Sequence, residues 1–142
     1  RQDHIHKVQS RLHEIAIRLQ QRGYSHDESK LEEPEKSGFD VLSEQLSTLV
    51  YGSDEYRAAL DAGKPTIDHH YAVNSHHPEH YPDGIAGMSL LDVVEMLCDW
   101  KAASERTKQG SIAQSLAHNK ERFGIDDQLA AILVNTVKEL GW

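Results

Sequence analysis

Apolar residues recur along most of the chain at spacings of three and four residues, which is the period of one face of an α-helix. The first stripe consists of Ile5, Val8, Leu12, Ile15, Ala16 and Leu19. Asp3 precedes this stripe and Gly23 follows it. Because aspartate favours helix N-caps and glycine favours helix ends, we predict a helix that begins at Asp3 and closes near Gly23.

Further stripes and end signals divide the middle of the chain. Apolar residues at 39–50 form a second stripe, whereas the proline and glycine of residues 31–38 (LEEPEKSG) predict a loop before it. Ser53 is a candidate cap for a short helix. A longer helix is expected to begin near Pro65 and to end before Pro78, because the residue that precedes a proline avoids the α conformation.

The last third of the chain predicts three more helices. Ser89 and Asp92 have the spacing of a capping box for a helix over residues 90–106. Two further helices are predicted at 111–123 and 126–140. The buried line of the last one consists of Leu129, Ile132, Leu133, Val137 and Leu140. No segment alternates like a strand, so the predicted fold is all-α, a single compact domain of six to seven helices over the whole chain.

Charge and composition restrict the partners. The 142 residues have a formal net charge of −8, and no basic cluster offers a surface for duplex nucleic acid. No apolar run reaches the length of a membrane span. Cys98 is the single cysteine, which fits a reducing compartment. We therefore expect a soluble cytoplasmic protein, and a small anionic substrate becomes plausible if a metal ion supplies positive charge.

Histidine is the residue type whose distribution suggests chemistry. The chain contains ten histidines, and half of them lie in residues 69–81, HHYAVNSHHPEHY. On helical spacing His70, Asn74 and His77 share one face, where two imidazoles could meet a common ion and the amide could orient a ligand. The alternative is a hydrated, histidine-rich helix end.

Three more candidate ligands lie near the start of the chain. His26 and Asp27 are adjacent, and a carboxylate can bridge two ions. Lys30 lies three residues after Asp27. Its two possible roles are to contact a substrate phosphate or to pair with Glu33 at the surface. His4 is the histidine of the first helix best placed to reach the interior, because it lies closest to the apolar stripe.

A band of carboxylates marks the helix over residues 90–106. Asp92, Glu95 and Asp99 share one narrow strip of a helix that is otherwise largely apolar. Since an unpaired buried charge is very costly, the strip faces either solvent or an internal cation.

In chain order these residues resemble the ligands of the HD-domain superfamily of metal-dependent phosphohydrolases, all-α proteins with the ligand order H…HD…H…H…D. "HDESK" is similar to the HD-x-x-K form common in that superfamily, and "HHPEHYPDGIAG" is similar to the "HHE…DG.GYP" region of its cyclic-dinucleotide phosphodiesterases. "CDWKAASER" resembles the late helix that supplies the final aspartate. A closer resemblance, over nearly the whole chain, is to an uncharacterised family from phages and bacteria.

The superfamily resemblance implies a set of metal ligands. One ion would be held by His4, His26, Asp27 and Asp99. Asp27 would bridge to a second ion, held by His70 and His77. His69 could take the place of His70, or His76 that of His77. The short separation of His70 from His77 and the proline of "HHPE" depart from the superfamily pattern.

The resemblance also implies a reaction, the hydrolysis of a phosphate ester in a nucleotide or another small metabolite through a metal-activated water. One or two divalent ions (Mn, Fe, Co, Ni or Zn) would be required. Lys30 would pair with the phosphate and Asn74 would hold substrate or water, with Glu79 or Glu95 as the proton carrier. The alternatives are a di-iron oxygenase with the same ligand order and a non-catalytic regulatory domain that binds metal or nucleotide.

Overall fold

The computed structural model describes residues 1–142 and contains seven α-helices and no strand, which confirms the all-α prediction. The α-helices are α1 Gln2–Ser25, α2 Glu35–Ser47, α3 Asp54–Ala62, α4 Lys64–Val73, α5 Leu90–Ser104, α6 Ile112–Phe123 and α7 Asp127–Leu140. Short 3₁₀ helices cover Glu28–Leu31, Pro78–His80 and Gly84–Gly87. None of the helices combines the length and the apolar character that a membrane span requires. The chain divides into two compact units, residues 1–74 and residues 75–142.

In the first unit, α2 packs against α3, α4 and the 3₁₀ helix at 28–31. Glycines allow these close approaches. A Cβ at Gly38 would lie 2.9 Å from Thr66 Cβ, and one at Gly63 would lie 2.9 Å from Leu42 Cδ1. This packing places the first turn of α2 beside the end of α4.

The second unit has a hydrophobic core between α5, α6 and α7. The core residues are Val93, Met96, Leu97, Ile112, Leu116, Ile125, Leu133 and Val137. The capping box predicted for α5 is confirmed, because Ser89 Oγ accepts from Asp92 N and Asp92 Oδ2 accepts from Ser89 N. The buried line predicted for α7 is only partly correct, since Ile132 and Leu140 are both 53% exposed.

The first helix differs from its prediction at both ends. Arg1, not Asp3, is the N-cap of α1, and Asp3 lies in the first turn, where it pairs with Lys7 at 3.0 Å. The helix continues through Gly23 to Ser25. None of its residues is buried, and its apolar stripe is exposed except at the half-buried Leu19, with Leu12 at 62%.

Two boundaries in the middle of the chain were also predicted incorrectly. The expected loop at 31–38 instead contains the start of α2, with Pro34 as its N-cap. The helix expected to reach Pro78 ends at Val73. The side-chain amide of Asn74 donates to His70 O at 2.8 Å, and this local bond occupies the carbonyl that a continuing helix would use.

Candidate metal centre

Asp27 lies directly after α1, at the turn into the 3₁₀ helix at 28–31. Its backbone is left-handed, with φ 54° and ψ 20°, a conformation that residues other than glycine seldom adopt. Its Oδ2 atom lies 2.8 Å from Lys30 Nζ and 3.5 Å from His26 Nε2. The adjacent histidine and aspartate therefore meet at one carboxylate, and Lys30 pairs with Asp27 instead of Glu33.

His70 is buried near the C-terminal end of α4. Its Nε2 atom lies 3.3 Å from Asp27 Oδ1. The edge of its ring packs against Phe39 of α2, with 5.6 Å between ring centroids. Two of the ligands assigned from the sequence, distant along the chain, are thus neighbours within the first unit.

Glu35, in the first turn of α2, is completely buried. Its Oε1 atom lies 2.7 Å from His70 Nδ1, and its Oε2 atom lies 2.6 Å from His69 Nδ1. Burial by itself raises the pKa of this carboxyl, but the hydrogen bonds from Ser29, His69 and His70 outweigh burial and hold the pKa below its ordinary value. Glu35 is therefore an ionised acceptor, surrounded by donors.

The sequence pattern gave Glu35 no role. A signal for the helix start was present, because proline followed by an acidic residue before an apolar stripe is typical of a helix N-terminus. That signal locates the first turn of α2. The contacts of Glu35 with His69 and His70 depend on the packing of α2 against α4, which no local pattern reveals.

Asn74 closes this network within the first unit. Its buried side chain donates to Ser29 Oγ at 2.9 Å as well as to His70 O. Asn74 thus helps to fix His70, and its predicted contact with substrate or water stays a prediction. His77 does not continue the helical face of His70 and Asn74, because α4 has already ended and His77 is the N-cap of the 3₁₀ helix at 78–80.

The second unit contains a buried histidine, His76, which is only 1% exposed. Its Nδ1 atom lies 2.9 Å from Glu95 Oε2, and its Nε2 atom lies 3.4 Å from Asp99 Oδ2. Glu95 and Asp99 are one helical turn apart on α5 and both contact the same imidazole. His77 follows, with its ring centroid 4.1 Å from that of His76. The sequence had given His76 only as an alternative ligand.

The third member of the acidic band has a structural role. Asp92 is buried and accepts hydrogen bonds from Ser75 Oγ at 2.8 Å and Tyr81 Oη at 2.6 Å, in addition to the capping bond from Ser89 N. These bonds tie the segment that contains His76 to the start of α5. The band of carboxylates therefore faces other side chains of the second unit.

The remaining candidates lie at the surface. His4 is exposed on α1. Glu79 is also exposed and lies 3.9 Å from Arg122, measured from Oε1 to Nη2. The roles assigned to His4 and Glu79, and the ligand roles of His77 and Asp99, stay predictions.

The structure contains clusters of histidine and acidic side chains that could hold a metal ion. The candidate ligands are His26, Asp27 and His70 in the first unit and His76, His77 and Glu95 in the second unit. The fold and these clusters define the class of protein, an all-α protein with candidate metal-ligating clusters.

Comparison with known families gives a more specific assignment. The model of a family described as "Family of unknown function (DUF5662)" matches residues 2–139, so the chain belongs to that family. This fits the expected match to an uncharacterised family, whereas nothing found links the chain to the HD-domain superfamily. Neither curated proteins nor solved structures yielded a match.

Proposed function

We propose that this protein is a metal-dependent phosphohydrolase that acts on a nucleotide or another small phosphate ester. The proposal rests on the geometry of Asp27 and His70 within the first unit. With Nδ1 of His70 donating to Glu35, its Nε2 atom has a lone pair, and this lone pair lies 3.3 Å from a carboxylate oxygen of Asp27. Two acceptors at this separation suit a shared cation.

The donor types support a transition metal. Imidazole nitrogen together with carboxylate oxygen suits Mn, Fe, Co, Ni or Zn. Carboxylates bound to the far nitrogen of a ligating histidine are common in such sites, and Glu35 has that position relative to His70. When bound, a divalent ion would activate water and offset the negative charge of a phosphoryl group.

Lys30 is proposed to bind the substrate phosphate. Its ammonium group lies 2.8 Å from Asp27 Oδ2 and 5.4 Å from the centroid of the Phe39 ring. These two contacts hold the ammonium group beside Asp27, the candidate metal ligand. A phosphoryl oxygen that approaches Asp27 would meet this positive charge. The proton-carrier role assigned to Glu79 or Glu95 stays a prediction from the sequence.

The test combines elemental analysis of protein purified without a histidine tag with a phosphate-release screen over nucleotides and small phosphate esters. Asp27→Asn is the informative variant, because asparagine tolerates the left-handed backbone that alanine does not. We expect Asp27→Asn to lower metal affinity and phosphate release by about 100-fold or more, since loss of a ligand exceeds the typical effect of a group that only orients one.

The matched control is Asp54→Asn, which makes the same chemical change on a side chain that is 97% exposed. We expect this control to keep metal and turnover. Full metal content in Asp27→Asn would disprove the assignment of Asp27. An iron-to-iron absorption band with oxygen consumption would favour the oxygenase, and nucleotide binding without phosphate release would favour the regulatory domain.

A further inference from the structure

Two consecutive histidines contact Glu35, and each does so through its Nδ1 atom. His69 and His70 each direct Nδ1 at one of its two oxygens, at 2.6 Å and 2.7 Å. A carboxylate has no proton to donate, so each imidazole must present its N–H at Nδ1. The proton of each neutral ring is thereby kept away from Nε2.

A second acceptor beside His70, Asp27, favours the opposite tautomer. Asp27 Oδ1 lies 3.3 Å from Nε2 and would accept a proton held there. A histidine with a proton on Nε2 cannot use that atom to ligate a metal. Without a strong acceptor at Glu35, the contact with Asp27 would direct the proton to Nε2.

We propose that Glu35 is a positioning residue that fixes the Nδ1–H tautomer of His69 and His70 and so keeps the proton off the Nε2 atom of His70, the atom that would bind a metal ion. This inference deepens the proposed function and rests on it for the role of the metal. His70 is the ring that meets Asp27. His69 is more exposed than His70 and shares the same carboxylate, so its tautomer is set by the same contact.

The primary measurement is the tautomer of both histidines in the metal-free protein, from long-range ¹H–¹⁵N correlation spectra of protein labelled at histidine. In the wild type we expect a proton on Nδ1 of both His69 and His70. A spectrum with the proton of His70 on Nε2 would overturn the proposal without any variant.

The variant is Glu35→Gln, which has nearly the same shape but offers one acceptor oxygen and one NH₂ group. The amide oxygen can accept from only one of the two rings, and Asp27 Oδ1 favours a proton on Nε2 of His70. We therefore expect His70 to change to the Nε2–H tautomer, and the affinity for Zn²⁺ or Mn²⁺ to fall about 10- to 100-fold. Glu44→Gln, an exposed position on the same helix, is the control and should change neither tautomer nor affinity.

The outcomes separate this inference from the proposed function. If Glu35→Gln leaves the tautomers of both histidines unchanged, or changes that of His70 without loss of metal affinity, the role of Glu35 is wrong while the phosphohydrolase proposal stands. If the tautomers and affinities behave as expected but no phosphate ester is hydrolysed, the phosphohydrolase proposal is wrong while the role of Glu35 stands.

Discussion

At the scale of single residues, Asp27 is the one non-glycine residue of the chain with a positive φ. The left-handed conformation costs most L-residues about 1–2 kcal/mol, and aspartate and asparagine tolerate it better than most. Strain of this kind is frequent at functional sites. The backbone of Asp27 is therefore an observation in favour of a functional role that is independent of the contacts of its carboxylate.

At most positions an alanine variant is more stable than a glycine variant, and the left-handed backbone predicts the reverse order at position 27. Glycine adopts this conformation without steric cost, whereas alanine does not. We expect Asp27→Gly to be more stable than Asp27→Ala by about 1 kcal/mol, measured by urea denaturation.

Asp40 provides the control for this comparison, because it is exposed within α2 and its helical backbone has the usual right-handed conformation. Glycine at position 40 should be less stable than alanine by about 0.5–1 kcal/mol. The same order at both positions would show that the backbone of Asp27 is not left-handed in solution.

The sequence revealed some of these residues and not others. The chemistry of His26, Asp27 and His70 is visible in their residue types and their order. Glu35 was not found, because a glutamate in the first turn of a helix is common and its histidine partners lie more than thirty positions away along the chain. The left-handed backbone of Asp27 was also not predicted.

At the scale of helices, ends that depend on local side chains were predictable. Ser53 caps α3, where its side chain accepts from Tyr56 N, and Ser89 caps α5, both as predicted. The end of α4 was not predictable in this way. Pro78 limits only the residue before it, while the side chain of Asn74 ends the helix earlier through its bond to His70 O.

The close packing of α2 on α4 makes Gly38 a sensitive position. A methyl group there would overlap the side chain of Thr66. We expect Gly38→Ala to destabilise the protein by about 1–3 kcal/mol and to weaken metal binding, because α2 and α4 supply Glu35 and His70. Thermal denaturation and a metal titration measure the two effects.

Gly23→Ala is the matched control, because a Cβ at this helical position meets nothing within 4 Å. This substitution should stabilise the protein by about 0.5–1 kcal/mol, the usual gain for alanine over glycine in a helix. If Gly38→Ala also stabilised the protein, the close approach of α2 and α4 would be wrong.

At the scale of the whole molecule, burial is distributed unevenly. The second unit has a continuous apolar core between three helices, whereas α1 has no buried residue. The stripe of Ile5, Val8, Leu12, Ile15 and Leu19 predicted α1 correctly as a helix. Periodicity fixes which residues share a face and does not show what covers that face, so burial could not be predicted from the stripe.

Metal binding should also stabilise the native state as a whole. A ligand at 100 times its Kd contributes about 2.7 kcal/mol when only the folded protein binds it. For a chain of this size we expect a rise in Tm of roughly 5–10 °C on addition of Zn²⁺ or Mn²⁺, reversed by a chelator. Differential scanning calorimetry measures the change.

Asp27→Asn serves as the comparison in this experiment. Its Tm should not respond to metal at the same concentration, while Asp54→Asn should respond like the wild type. An equal rise in Tm for Asp27→Asn would place the stabilising ion at ligands other than Asp27.

The backbone of Asp27 has a consequence for how the protein can change over evolutionary time. Glycine keeps the turn and loses the charge, glutamate keeps the charge and lengthens the side chain, and asparagine keeps the shape as a neutral amide. No single replacement retains both the left-handed turn and a negative charge on a side chain of the same length. Lineages that still depend on an ion at this position are therefore expected to show no drift away from aspartate, whereas lineages that have abandoned it are free to settle on glycine or asparagine.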